Sequence, residues 1–416
     1  MAQLSNDCFA FGGPLMSIDE ARALIAERLT PVTGETAVPL HEADGRVLAR
    51  RITAPLDLPP FDNSAVDGYA VRFADLQAGP TELPLGSRVA AGSDPGSADL
   101  RPHAVRIFTG APMPPGFDTV FMQEDVDVRG DGVLLPVGLK PGSNRRLAGE
   151  DISRGAVALE AGRRLGPRDL ALLSALGIAN VPVRTPLRVA VFSTGNEVVS
   201  PGQKLPPAGL YDANRFMLAA MLRRLGCAVT DLGILPDRRE AVSEALAAAA
   251  GAHDCLITSG GVSTGEEDHV KDAVESAGAL TFWRLAIKPG RPVALGVVRG
   301  VPFIGLPGNP VAVFVTFTQV ARALIARLAG EAFLLPTAFL VRAGFAYSKK
   351  EGRREYVRVR LESGPDGALV ARKHSRDGAG VITSLTETDG LVELPEAVTR
   401  IEAGDPAAFL PYSMLL

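Results

Sequence analysis

Cys255-Leu256-Ile257-Thr258-Ser259-Gly260-Gly261-Val262-Ser263-Thr264-Gly265-Glu266-Glu267-Asp268 runs from an apolar segment into a glycine-rich turn, and a helical pattern over 270–277 follows. Strand, glycine turn and helix form the repeating unit of an α/β fold. They also form a phosphate cradle. Glycines let backbone N–H groups approach an anion, and the helix N-terminus adds partial positive charge. Three acids, Glu266, Glu267 and Asp268, crowd this cradle. Acids beside a phosphate call for a divalent cation, because like charges otherwise repel.

The same alternation extends outward over 187–329. Strands are expected at 187–192, 228–233, 254–258, 280–286, 293–298 and 302–305, and helices at 213–225, 238–250, 268–277 and 310–328. Such a pattern predicts a mostly parallel sheet with helices on both faces, closed at one end by a hairpin at Arg299-Gly300. Ligands bind beyond the carboxyl ends of such strands. Four loops belong there: Ser193-Thr194-Gly195-Asn196-Glu197, Leu235-Pro236-Asp237, the glycine cradle, and Leu306-Pro307-Gly308-Asn309-Pro310. A fifth, Ile287-Lys288-Pro289-Gly290-Arg291-Pro292, joins two strands on that edge. Together they offer backbone donors at Gly260, Gly261, Ser263 and Gly265, acids at Glu197, Asp237, Glu266, Glu267 and Asp268, and cations at Lys288 and Arg291. That set suits a polyanion with a divalent metal. Each piece also has a plainer reading. Asn309 and Pro310 can be the N-cap and N1 of a helix, Asp237 an ordinary N-cap, and Lys288 and Arg291 a solvated face.

Elsewhere, Ser17 and Glu20 form a capping box before a helix over 17–29 that Pro31 ends, and a second short helix is expected at 41–49. Residues 52–150 read as a β-rich module of short strands and Gly/Pro turns. Within it, Phe61-Asp62-Asn63-Ser64-Ala65-Val66-Asp67-Gly68-Tyr69 packs acids, an amide and a hydroxyl beside a strand. Thr109-Gly110-Ala111-Pro112, Arg145-Arg146 and Gly149-Glu150-Asp151 are further polar loops, each readable as turn or site. A helix over 168–176 ends at Gly177. Residues 331–416 form a last β-rich piece, with clear alternation over 355–361.

Composition bounds the function. The 416 residues suffice for two to four domains. A net charge of −4 argues against nucleic-acid binding. Three scattered cysteines, Cys8, Cys227 and Cys255, form neither a disulfide framework nor a metal cluster and suit the cytoplasm. No secretory pattern opens the chain. The most apolar helical stretch, 311–329, carries Gln319, Arg322 and Arg327, so it is expected inside the protein rather than in a membrane.

The run 61–71, the Thr109 loop, Gly149-Glu150-Asp151-Ile152, Ser193-Thr194-Gly195-Asn196-Glu197, Ser259-Gly260-Gly261-Val262-Ser263 and Leu306-Pro307-Gly308-Asn309-Pro310 together resemble the motif series of the MoeA family, related to the gephyrin E domain. The resemblance spans nearly the whole chain, in family order. It implies a multidomain α/β plus β protein. A MogA-like three-layer α/β domain would cover 187–329, an inserted β-rich domain 52–150, an N-terminal linker domain 15–51 with 151–186, and a C-terminal β-barrel-like domain 330–416.

The resemblance also implies an activity: a transferase that inserts molybdate into adenylylated molybdopterin with Mg²⁺, releasing AMP. It implies cytoplasmic homodimers whose cleft lies between the α/β domain of one subunit and the β-rich parts of the other, and contact with a molybdopterin adenylyltransferase. Matched by motif, Asp67, Thr109, Glu197, Asp237, Asp268, Lys288, Pro307 and Pro310 fall on family functional positions, as do Arg145 and Asp151. Glu197, Asp237 and Asp268 are the expected Mg²⁺ ligands. Gly260, Gly261, Ser263, Gly265, Arg284, Arg291 and Asn309 are expected at the substrate. The family's Gly-Asp-Glu is Gly195-Asn196-Glu197 here, Arg284 stands where Lys is common, and His269 replaces a common Tyr. A gephyrin-like scaffold and a tungstate-preferring paralogue are the alternatives the resemblance leaves open.

Overall fold

In a computed structural model of the chain, residues 15–416 are described, except 98, 100, 237, 262–268 and 334. Four parallel strands and an antiparallel pair form the central sheet. In spatial order they are Ala228–Leu235, Arg188–Thr194, Cys255–Ser259, Val301–Leu306, Pro292–Val298 and Gly278–Arg284. The first four run parallel, Pro292–Val298 is antiparallel to both of its neighbours, and Gly278–Arg284 runs in the direction of the first four. The expected hairpin joins Val298 to Val301. Its turn residues Arg299 and Gly300 both have positive φ, 50° and 80°, which matches the right-handed twist of the flanking strands.

Alternation along Arg188–Thr194 explains the layers. Val189 and Val191 face one core, with helices Asn214–Arg224 and 310–328. Ala190 and Phe192 face the other, with helices Arg239–Ala252 and His269–Ala277. Helices therefore cover both faces, as expected for a sheet buried on two sides. Pro310–Leu328 is long and apolar enough to cross a membrane, yet 89% of its most apolar window is buried in this core. Its middle turn, Phe317–Ala321, is π-helical. There the Gln319 carbonyl accepts from Arg22 Nε at 2.9 Å and its side-chain oxygen accepts from Tyr356 Oη at 3.1 Å. One widened turn thus ties three parts of the chain together.

Helix Ile18–Arg28 carries the predicted capping box: Glu20 N–H donates to Ser17 Oγ (3.1 Å) and Ser17 N–H to Glu20 Oε2 (2.8 Å). It buries Ile18, Ala21 and Ile25 in the α/β core. The helix expected at 41–49 does not form. A single 3-10 turn, Leu40–Glu42, ends before Gly45 (φ 70°), and Val47 and Leu48 bridge instead to Arg164 and Val183. A glycine in a left-handed conformation breaks the helix, and pairing with distant segments of the same chain takes the apolar residues beyond it.

The β-rich module is a six-stranded sheet in which Gly68–Val71 lies between Ala104–Ile107 and Thr119–Met122. At the C-terminus, Arg354–Ser363, Leu369–Lys373, Phe339–Ala343, Pro406–Pro411 and Gly390–Leu394 pair in a closed ring, a five-stranded barrel. The barrel is joined to the α/β domain through its backbone. Ile287–Lys288 pairs parallel with Arg354–Glu355, and Arg354 N–H donates to Ala286 O at 2.8 Å.

Candidate active site

Register puts the predicted loops side by side. Thr194 pairs with Leu235, Ser193 with Ser259, and Ser259 with Leu306, so all four loops leave one edge of the sheet. Gly260 and Gly261 adopt φ of 79° and 64°. A side chain at Gly261 would lie 2.3 Å from Thr194 Oγ1, so close packing as well as conformation requires glycine there. A cleft of about 390 Å³ opens in front of Gly260, Gly261, Pro307 and Asn309, with Lys288 and Arg291 on its rim. Its far wall comes from the barrel and includes Tyr347, Glu355 and Arg358.

The wall residues are where reading the sequence fell short. Arg358 is 6% exposed between buried Val357 and Val359. Its Nε donates to Ser384 Oγ at 3.1 Å and one Nη to Arg376 O at 3.2 Å. Burial lowers its pKa, with Asp377 acting in the opposite sense. A guanidinium nevertheless stays protonated. The described residues give it no carboxylate partner within ion-pair distance, so it brings positive charge to the cleft. Lys288 is tied differently. Its Nζ donates to Tyr347 Oη (3.1 Å) and Glu355 Oε2 (3.2 Å). Burial would depress its pKa, but these partners outweigh it and the net direction is upward. It is thus more than a solvated surface lysine.

Pro310 begins the core helix and Asn309 occupies its N-cap, but the Asn309 side chain makes no capping bond. The adjacent Gly308 carbonyl is instead held by Asn214 Nδ2 at 2.6 Å, while Asn214 Oδ1 is buried without a partner. Asn214 opens helix Asn214–Arg224, and neither it nor Glu355 carried a sequence motif.

A second cluster lies in the β-rich module. Asp67 Oδ1 accepts from both Thr109 N–H and Thr109 Oγ, each at 2.8 Å. These two bonds hold the Asp67 carboxyl below the usual range, the backbone bond contributing most. Nearby, Arg145–Arg146 pairs with Asn63–Ser64. Arg145 lies 3.6 Å from Asp62, and its Nε is buried without a partner. Asp151 is exposed, and its backbone N–H donates to Leu58 O at 3.0 Å. None of these side chains lines the cleft, so one chain does not bring the two clusters together.

Of the expected metal ligands, Asp237 and Asp268 lie outside the described residues, as do Ser263 and Gly265. Glu197 is exposed, its carboxylate folded back beside Gly195. Among the described residues no group of three His, Cys, Asp or Glu side chains gathers, so they do not by themselves build a Mg²⁺ site. Arg284 is exposed at a strand end, paired with Pro292 on the same edge.

Comparison with known proteins agrees with this architecture. Family models match in order: MoeA N-terminal region (domain I and II) over residues 16–177, probable molybdopterin binding domain over 190–327, and MoeA C-terminal region (domain IV) over 341–412. Molybdopterin molybdenumtransferase of Haemophilus influenzae is 39% identical over 97% of this chain and all of its own length. Molybdopterin molybdenumtransferase 2 of Mycobacterium tuberculosis is 35% identical over 94% of this chain and 98% of its own. The crystal structure of a molybdopterin biosynthesis MoeA protein from Pyrococcus horikoshii superimposes with a TM-score of 0.82 at 29% identity, covering 96% of this chain and 100% of that one. With all three regions matched in order and full-length relatives at this identity, the chain belongs to the MoeA family of molybdopterin molybdenumtransferases.

Proposed function

We propose that this chain is a transferase of molybdenum cofactor biosynthesis that inserts molybdate into adenylylated molybdopterin and releases AMP. One observation carries the reading: a cleft of about 390 Å³ has glycine-loop backbone on one wall and Lys288, Arg291 and Arg358 around it. Backbone N–H groups and fixed cations suit phosphate and pyrophosphate. Molybdate, a dianionic substrate, needs the same kind of partner, and Arg358 joins Arg284 and Arg145 as a candidate. The volume falls within the ~300–1,000 Å³ of small-molecule sites.

Glu197, Asp237 and Asp268 offer the hard oxygen donors that Mg²⁺ takes, and a bound ion would neutralise charge on the departing AMP. As the resemblance implies, the Asp67–Thr109 cluster would serve the cleft of a second copy in a cytoplasmic homodimer. The test mixes the purified chain with adenylylated molybdopterin, Mg²⁺ and molybdate. AMP and molybdenum cofactor in matched amounts are expected. Absence of AMP would favour a scaffold instead. Competition between molybdate and tungstate in the same assay decides the metal preference.

A further inference from the structure

We propose that Glu355 and Tyr347, both from the C-terminal β region, are positioning residues that hold the Lys288 ammonium ready for a ligand phosphate. This rests on the reading of the cleft given above.

The geometry is a closed triangle. Lys288 Nζ donates to Tyr347 Oη at 3.1 Å and to Glu355 Oε2 at 3.2 Å, and Tyr347 Oη donates to the same Glu355 oxygen at 2.8 Å. Arg353 fixes the other carboxylate oxygen at 2.9 Å. The Glu355 side chain is 2% exposed, whereas that of Lys288 is 48% exposed. The carboxylate is therefore the fixed member and the lysine the one that reaches the cleft.

Charge and donor counting give this arrangement a purpose. An ammonium has three N–H donors. Two are taken by Tyr347 and Glu355, which leaves one for an anion. Lys288 and Arg353 outweigh the single charge of Glu355, so the group remains net positive toward the cleft. A free lysine loses rotamer freedom on binding, and a stem held beforehand loses less of it when the ligand arrives. The triangle is not needed to dock the barrel. Backbone pairing of Ile287–Lys288 with Arg354–Glu355 already makes that junction.

A double-mutant cycle tests the inference, read as kcat/KM for AMP release. Glu355→Gln keeps shape and removes charge. Tyr347→Phe removes one hydroxyl and serves if Glu355→Gln does not fold. Each is made alone and with Lys288→Met, and thermal melting checks folding. The expected result is a fall of about tenfold with Lys288 present and under about twofold with Met at 288, within the coupling range of contacting residues. An equal fall in both backgrounds would overturn the inference while leaving the cleft reading intact. Full activity of Lys288→Met would instead remove the role of Lys288, and the inference with it.

Discussion

Asp67 takes both of its stabilising hydrogen bonds from one residue, Thr109, whose N–H and Oγ each lie 2.8 Å from the same carboxylate oxygen. Both bonds favour the charged form and depress the pKa. A depressed folded pKa contributes stability that is present above the ordinary carboxylate range and lost as pH falls through the folded value. Thr109→Val keeps the backbone bond and removes the hydroxyl bond. The Asp67 pKa is therefore expected to rise toward the ordinary value. The acid limb of the pH–rate profile should move to higher pH, and carboxylate NMR titration reads the shift directly. An unmoved titration would disconnect the hydroxyl from the carboxylate.

Beside Asp67, Gly68 has no room for a side chain: an added Cβ would lie 1.8 Å from Phe121 O, in the paired strand. Gly68→Ala must push the two strands apart. Overpacking of this kind costs about 1–3 kcal/mol, to be read as a lower denaturation midpoint at unchanged slope. Wild-type stability would mean that the sheet yields more easily than its pairing implies.

The Asp67 loop and the glycine cradle are legible in the sequence, and the reason is local. Asp67-Gly68 is a strand entry whose glycine is needed for close approach, and the glycine cradle is a strand end whose conformation excludes side chains. Those are short-range constraints, written in a few adjacent residues. The cleft wall is not short-range. Arg358 and Glu355 sit in an alternating strand that reads like any other. Glu355 takes its meaning from pairing with Ile287–Lys288, 67 residues away at the Lys288–Glu355 contact, and Arg358 from its bonds to Ser384 and Arg376. The expected helix at 41–49 failed for the same reason, since Val47 and Leu48 are claimed by residues beyond 160.

Arg358 donates hydrogen bonds into the barrel from a nearly buried position, with no carboxylate of the described residues within ion-pair distance. If its charge serves an anionic substrate, Arg358→Met should raise KM by about 10–100-fold, the equivalent of one charged hydrogen bond of about 1.5–3 kcal/mol. Arg358→Lys keeps the charge but loses the planar fork and should fall between. Steady-state kinetics at fixed molybdate decide it. An unchanged KM in both variants would leave Arg358 a structural residue.

Cys227 and Cys255 are buried, and desolvation pushes the Cys227 thiol up to about 12, with Cys255 shifted in the same direction. Only the thiolate reacts readily. Both should resist alkylation at pH 8 in the folded protein and react once denaturant is added, as peptide mapping after labelling would reveal. Rapid native labelling of either position would contradict their burial.

Asn214 Nδ2 holds the Gly308 carbonyl at 2.6 Å, while its Oδ1 is buried without a donor. That bond fixes the amide orientation, because the carbonyl can only accept. Gly308 in turn lies against Gly260 across the two glycine loops, with a Cβ on either meeting the other's Cα at about 3.9–4.0 Å. Asn214→Asp replaces the donor with a carboxylate facing a carbonyl oxygen. The repulsion should displace the Pro307-Gly308-Asn309 loop from the cleft, so KM should rise more than in Asn214→Ala, which removes the bond without adding charge. Asn214→Ala should lose about 1 kcal/mol of stability for the one bond. If the Asp variant were as active as the Ala variant, the loop would not depend on this contact for its place in the cleft.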